Sequence, residues 1–152
     1  MKRREVYWDN YRDQFGRERR VPVLIVSSDA YNEGSLFVTA VRLVHSDARP
    51  MPQHINIPAD AFTHTAIIGD SVALCETVSS VRKTSLEGPI ALLDSNYYMS
   101  LVEDGIKAQC GMLSPVQRNP VYAPPLEQQI PMYTGYNSPQ MRETHEMRME
   151  EV

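Results

Sequence analysis

Two charged side chains interrupt otherwise apolar runs in this chain of 152 residues. Arg42 lies within Leu36–Val44 and Glu76 within Ser71–Val78. A charge among apolar neighbours costs free energy unless it is paired or wet. In simple strand alternation Glu76 shares a face with Val72, Leu74 and Val78. Two readings fit: an Arg42–Glu76 or Arg20–Glu76 salt bridge, or a wet strand face that holds a site. Arg17, Arg19 and Arg20 stand just ahead of the first apolar run. A guanidinium is always charged and can grip two phosphate oxygens, so this trio suits an anionic ligand as well as a solvated loop. His45, His54, His64 and His145 show no ligand-like spacing. Cys75, in mid-run, reads as a small buried apolar residue rather than a nucleophile. The sequence holds no phosphate-cradling glycine loop, nucleophile elbow or paired-histidine zinc helix.

The elements that must position these groups are mostly strands. Val21–Val26 is a continuous run rich in β-branched residues that ends at Ser27-Ser28-Asp29. Leu36–Val44 is a second run, His54–Ile57 alternates, Ser71–Val78 alternates, and Pro89–Leu93 is a short apolar stretch. Without helices long enough for crossovers, such strands predict a small antiparallel barrel rather than a parallel sheet. One helix is expected to close it. Asp94 or Ser95 can cap its first turn, Tyr98, Leu101, Val102, Ile106 and Gln109 form a stripe, and Gly111 suits the residue past its end. A shorter helix is expected at Ala59–Thr63, whereas residues 1–20 read as charged and turn-like around Gly16.

Composition narrows the class. The net charge of −4 is uneven: residues 1–20 carry seven basic against four acidic side chains, leaving the remainder at −7. A basic start on an acidic body fits an anionic ligand near the N-terminal loop. No stretch approaches the ~20 apolar residues of a membrane span, and no apolar segment follows the charged start as in a signal peptide. Two cysteines are too few for a disulfide scaffold, so a reduced, cytoplasmic setting is expected. The chain changes character at residue 112. Six of its eleven prolines lie beyond, which predicts a Pro-rich tail over 112–152, extended or disordered, with a short helix at Arg142–Glu150. The alternatives for that tail are a spacer and a segment docked on the barrel or a partner.

The order of the pieces resembles the MazF/PemK family of toxin–antitoxin ribonuclease toxins. The pieces are REVYW (Arg4–Trp8), a charged loop with Gly16, VPVLIVSSDAYN (Val21–Asn32) and FVTAVRLV (Phe37–Val44). QHINIP (Gln53–Pro58), DSVALCETVSSVRKTSLEGPIALL (Asp70–Leu93) and a final helix through Leu101 follow, so the resemblance spans residues 4–111. It implies a barrel domain over 1–111, a homodimer, a partner antitoxin, growth inhibition, and cleavage of single-stranded RNA with neither metal nor cofactor. In that chemistry the ribose 2′-hydroxyl attacks the adjacent phosphorus, so the protein supplies a base, an acid and positive charge.

Carried over residue by residue, the resemblance points to Arg20 and Arg42 for phosphate stabilisation and to Glu76 as acid/base. His54 is in reserve, and Arg17, Arg19 and Arg20 position the RNA backbone. Two positions depart from the family pattern. Val21 stands where an arginine usually precedes the proline, with Arg20 one residue earlier and hence on the other strand face unless a bulge intervenes. Arg42 stands near a usual threonine. A binding module that has lost catalysis, or an assembly protein acting through its tail, are the alternatives.

Overall fold

A computed structural model describes residues 1–45, 47, 49–63 and 69–112. His64, His145 and the tail from residue 113 lie outside the described residues, and so does the helix expected at Arg142–Glu150.

The strands are β1 (Glu5–Arg12), β2 (Glu18–Ile25), β3 (Phe37–Val44), β4 (His54–Ile57), β5 (Phe62–Thr63), β6 (Ser71–Arg82) and β7 (Leu86–Leu93). Among the described residues the α-helices α1 (Asp29–Gly34) and α2 (Asn96–Gln109) accompany them, with single 3-10 turns at Ala59–Ala61 and Lys83–Ser85. The shorter helix expected at Ala59–Thr63 is thus one 3-10 turn followed by β5. All strand pairs are antiparallel, in the order β4-β6-β3-β2-β1-β7-β5.

The expected antiparallel sheet and closing helix are present, but the barrel is not closed. Among the described residues the edge strands β4 and β5 do not pair with each other, so the hydrogen-bonded sheet stays open. Hydrophobic burial does what the missing ladder does not. Val6, Leu24, Val41, Ile55, Phe62, Ala73 and Leu93, one from each strand, share a single core with Met99 and Val102 of α2. A sheet whose every strand feeds one core has to coil around it. A smaller cluster of Tyr7, Val23, Ile25, Val38 and Ala40 occupies the opposite face.

The first twenty residues differ from expectation. They build β1 and the start of β2, a hairpin whose turn has Gly16 at φ +76°, the left-handed region that favours glycine. Its Val, Tyr and Trp favour a strand, while its polarity reflects exposure rather than a loop. β3 pairs with β2 only over Val23–Ile25, and β7 pairs with β1 only over Glu5–Asp9. Residues 10–20 therefore extend past the sheet as a two-stranded arm, with Phe15 71% exposed at its tip.

The Ser95 hydroxyl caps α2 by accepting the Tyr98 amide at 3.3 Å, and Gly111 adopts φ +75° past its end, both as the residue types predict. Gly105 lets the helix approach β6, since a Cβ there would lie 2.7 Å from Cys75 Sγ.

Candidate functional site

β6 is long because it serves two partners, and its ladder slips once on the way. Leu74 stands opposite Arg42 of β3, whereas Ser79 stands opposite Ala40. Three extra residues of β6 are accommodated in between, and Glu76 and Thr77 lie in this bulge. Thr77 repairs the break: its hydroxyl accepts the Arg42 amide at 2.9 Å and donates to the Leu74 carbonyl at 2.6 Å. Val78 turns to the main core beside Cys75, so the slip breaks the alternation that grouped Glu76 with Val78.

The bulge delivers Glu76 to β4 rather than to an arginine. Its Oε1 lies 2.7 Å from His54 Nε2, and the other ring nitrogen, Nδ1, lies 2.8 Å from Asp47 Oδ2. His54 is buried, with 6% of its side chain exposed, while Glu76 is 31% exposed. Burial by itself disfavours the imidazolium, but hydrogen bonds and charge from Glu76 and Asp47 outweigh it and raise the His54 pKa above 6.5. Glu76 Oε2 is enclosed and has no hydrogen-bond partner among the described residues. An unsatisfied buried acceptor costs about 1–3 kcal/mol and marks a position built for something other than stability. The expected Arg–Glu76 salt bridge is absent among the described residues, and His54 takes its place. Burial, followed by the Glu76 charge, pushes the Cys75 thiol up to about 12, which suits the apolar role read from its sequence position.

Ladder register decides which arginines face this site. His54, Leu74, Arg42, Val23 and Tyr7 stand opposite one another in successive strands and so share one face. Tyr11 lies on that face by alternation from Tyr7 and brings its partner Arg19 with it. The Arg42 guanidinium sits over the Tyr11 ring, 5.0 Å from its centroid. Arg20 pairs with Asn10 on the reverse face and stacks over Trp8 at 4.5 Å. The structure thus brings Arg42, Arg19, His54 and Glu76 to one side of the sheet and puts Arg20 on the other.

Arg17 and Arg19 share a counterion. Asp13 accepts Nε of Arg17 at 3.0 Å and Nε of Arg19 at 3.3 Å, as well as the Phe15 and Arg17 amides. Desolvation opposes its ionisation, but those amides and guanidines together hold its carboxyl below the usual range. Such exposed pairs are worth little, so a phosphate can compete for both arginines. Among the described residues neither Arg20 nor Arg42 forms an ion pair. Along the arm, Asn10, Tyr11, Arg12, Glu18, Arg19, Arg20 and Glu87 line an open groove of about 590 Å³.

Asp47, Asp13, Tyr11 and Trp8 were not singled out from sequence. An Asp three residues before a turn glycine is a signal that could have found Asp13. Asp47 offers none, because its role exists only once His54 is next to it.

Comparison with known proteins agrees with this architecture. The family model described as PemK-like, MazF-like toxin of type II toxin–antitoxin system matches residues 2–109. Endoribonuclease MazF6 of Mycobacterium tuberculosis (strain ATCC 25618 / H37Rv) is 30% identical over 90 residues, covering 57% of this chain and 76% of that protein. Endoribonuclease MazF2 of Mycobacterium bovis matches to the same extent. Among solved structures, a MazE–MazF crystal structure from Deinococcus radiodurans (Form-III) is 22% identical with a TM-score of 0.59, over 74% of this chain and 98% of that one. An endoribonuclease in complex with its cognate antitoxin from Mycobacterial species is 21% identical with a TM-score of 0.58, over 74% and 97%. At those identities the structural likeness carries the fold.

Proposed function

This chain belongs to the PemK-like, MazF-like toxins of type II toxin–antitoxin systems, and on that premise we propose that it cleaves single-stranded RNA without a metal ion. The observation that carries the reading is the single sheet face shared by Arg42, Arg19, His54 and Glu76. Cleavage by transesterification needs a proton acceptor beside a fixed positive charge, and that face offers both.

In this reading Glu76 takes the proton of the ribose 2′-hydroxyl. The 2′-oxygen bonds to phosphorus, the bond from phosphorus to the 5′-oxygen breaks, and solvent protonates the leaving oxygen. The products are a 2′,3′-cyclic phosphate and a 5′-hydroxyl, and Glu76 then returns its proton to water. Arg42 offsets the charge that grows on the phosphoryl oxygens. Arg17 and Arg19 hold the neighbouring backbone, and Arg20, on the reverse of the arm, holds a flanking stretch of strand. DNA lacks the attacking hydroxyl and is not cut.

The relatives named endoribonucleases and the structures solved with antitoxins support a cytoplasmic growth inhibitor that forms a homodimer and is silenced by an antitoxin. No helix among the described residues is long and apolar enough to cross a membrane. The deciding experiment incubates the full chain with single-stranded RNA and with DNA of the same sequence, in excess chelator. Cleavage of RNA alone, leaving cyclic phosphate ends, supports the reading. Intact RNA overturns it in favour of a binding module that keeps the fold.

A further inference from the structure

We propose that Asp47 is a positioning residue for this reaction, holding Glu76 in its working orientation through the two ring nitrogens of His54. The proposal rests on the reading of Glu76 as the proton acceptor and adds a residue that the family resemblance does not reach.

The geometry is a continuous chain of hydrogen bonds through a buried ring. Asp47 is itself held, since Oδ1 accepts the Arg49 amide at 3.2 Å while Oδ2 faces His54 Nδ1 at 2.8 Å. An imidazole bonded through one nitrogen can still swing about its side-chain torsions. Bonded through both, it is fixed in rotation and, while it carries both protons, donates from each nitrogen. His54 Nε2 then donates to Glu76 Oε1 and leaves Glu76 Oε2 without a hydrogen-bond partner among the described residues. The chain thus assigns different duties to the two oxygens of Glu76. One is an anchor, and the other is the acceptor that a substrate hydroxyl can use after a small rotation about the anchored oxygen. The same logic operates wherever a buried carboxylate orients a histidine for the next group in line.

Among the described residues the charged groups around the ring are few. β6 contributes Glu76 and, behind it, the Cys75 thiol, held neutral by burial. The segment between β3 and β4 contributes Asp47 and Arg49, and β3 contributes Arg42, whose guanidinium is turned to Tyr11. From α2, Gln109 reaches β4's flank through Gln53, and the helix's charged residues are Glu103, which pairs with Arg3, Asp104 and Lys107. The two carboxylates therefore dominate the field at His54, and both favour its charged form. Neutralising Asp47 removes one of them, so His54 gives up its proton at lower pH and the anchor on Glu76 weakens from that pH upward.

The test compares the full chain with its Asp47→Asn variant, which keeps shape and loses charge. In the variant the His54 ring, followed by NMR, should titrate roughly one unit lower. RNA cleavage should lose about tenfold in kcat, with KM changed less than about twofold, and the alkaline limb of its pH profile should move to lower pH. Asp47→Glu, which restores the charge, should recover part of the rate. In a His54→Gln background Asp47→Asn should cost nothing further, because the link is already cut. An unchanged His54 titration, a loss confined to KM, or an undiminished Asp47 effect without His54 overturns the proposal. If the unaltered chain does not cleave RNA, the functional reading fails by itself. The titration then decides whether Asp47 governs His54.

Discussion

Arg19 and Arg20 are neighbours in the chain and project from opposite faces of the sheet. Arg19 stands across from Tyr11, the ring that carries the Arg42 guanidinium, whereas Arg20 stands across from Asn10 and stacks on Trp8. No bulge interrupts the β1–β2 ladder between Val6 and Arg12, so plain alternation separates them. Of the two, only Arg19 shares the sheet face of His54 and Glu76.

That separation sets different outcomes for three alanine variants. Arg42→Ala should reduce RNA cleavage by about tenfold or more, the loss expected when a charge-assisted contact to the reacting phosphate goes. Arg19→Ala and Arg20→Ala should mainly weaken binding, each lowering the slope of log affinity against log salt by about 0.7 on single strands. Fluorescence binding across a salt series, alongside cleavage rates, resolves the three. An Arg20→Ala variant with a larger catalytic defect than Arg42→Ala would reverse the assignment of faces.

Removing the proton acceptor is a sharper test of the chemistry. Glu76→Gln should lower kcat for RNA by roughly 10²-fold or more while affinity is retained. Full activity in that variant would assign the base elsewhere.

His54 also ties stability to pH. Its pKa is raised in the folded chain, so the imidazolium between Asp47 and Glu76 stabilises the fold fully below the unfolded value near 6.5. The contribution fades as pH rises through the folded pKa. The difference in Tm between the unaltered chain and His54→Gln should therefore be largest near pH 6 and shrink toward alkaline pH. A difference that is constant or grows with pH would contradict the ion-pair account.

Where α2 meets β6 there is no room for a methyl group. Gly105→Ala brings a Cβ to 2.7 Å from Cys75 Sγ, and overfilling a close-fitted contact of this kind costs about 1–3 kcal/mol. Urea denaturation should show this loss. Cys75→Ala in the Gly105→Ala background should recover part of it by vacating the sulfur's place.

Much of the scaffold is written locally. The Val21–Val26 run, the alternation of His54–Ile57, the Ser95 cap and Gly111 each depend on neighbours a few residues away, and each reappears in β2, β4 or α2. The arm is the exception. Its strands are exposed on both sides, so they carry no apolar period and look like a charged loop.

The residue types of the site were legible; their pairing was not. Arg42 and Glu76 stood out because charge is expensive within an apolar run, the arm arginines because they cluster ahead of the first one, and the family resemblance brought His54 with them. What joins Glu76 to His54 is the three-residue slip in the β3–β6 ladder together with the seating of β4 on β6, neither of which a single strand's pattern encodes. Asp47 joins only because the chain between β3 and β4 returns it to a ring seven residues on. Alternation along one strand says which side a residue faces. Only the registers of β4, β6, β3, β2 and β1 taken together decide which residues from five strands meet there, because a partner's register is set by the shared core and not by the strand's own sequence.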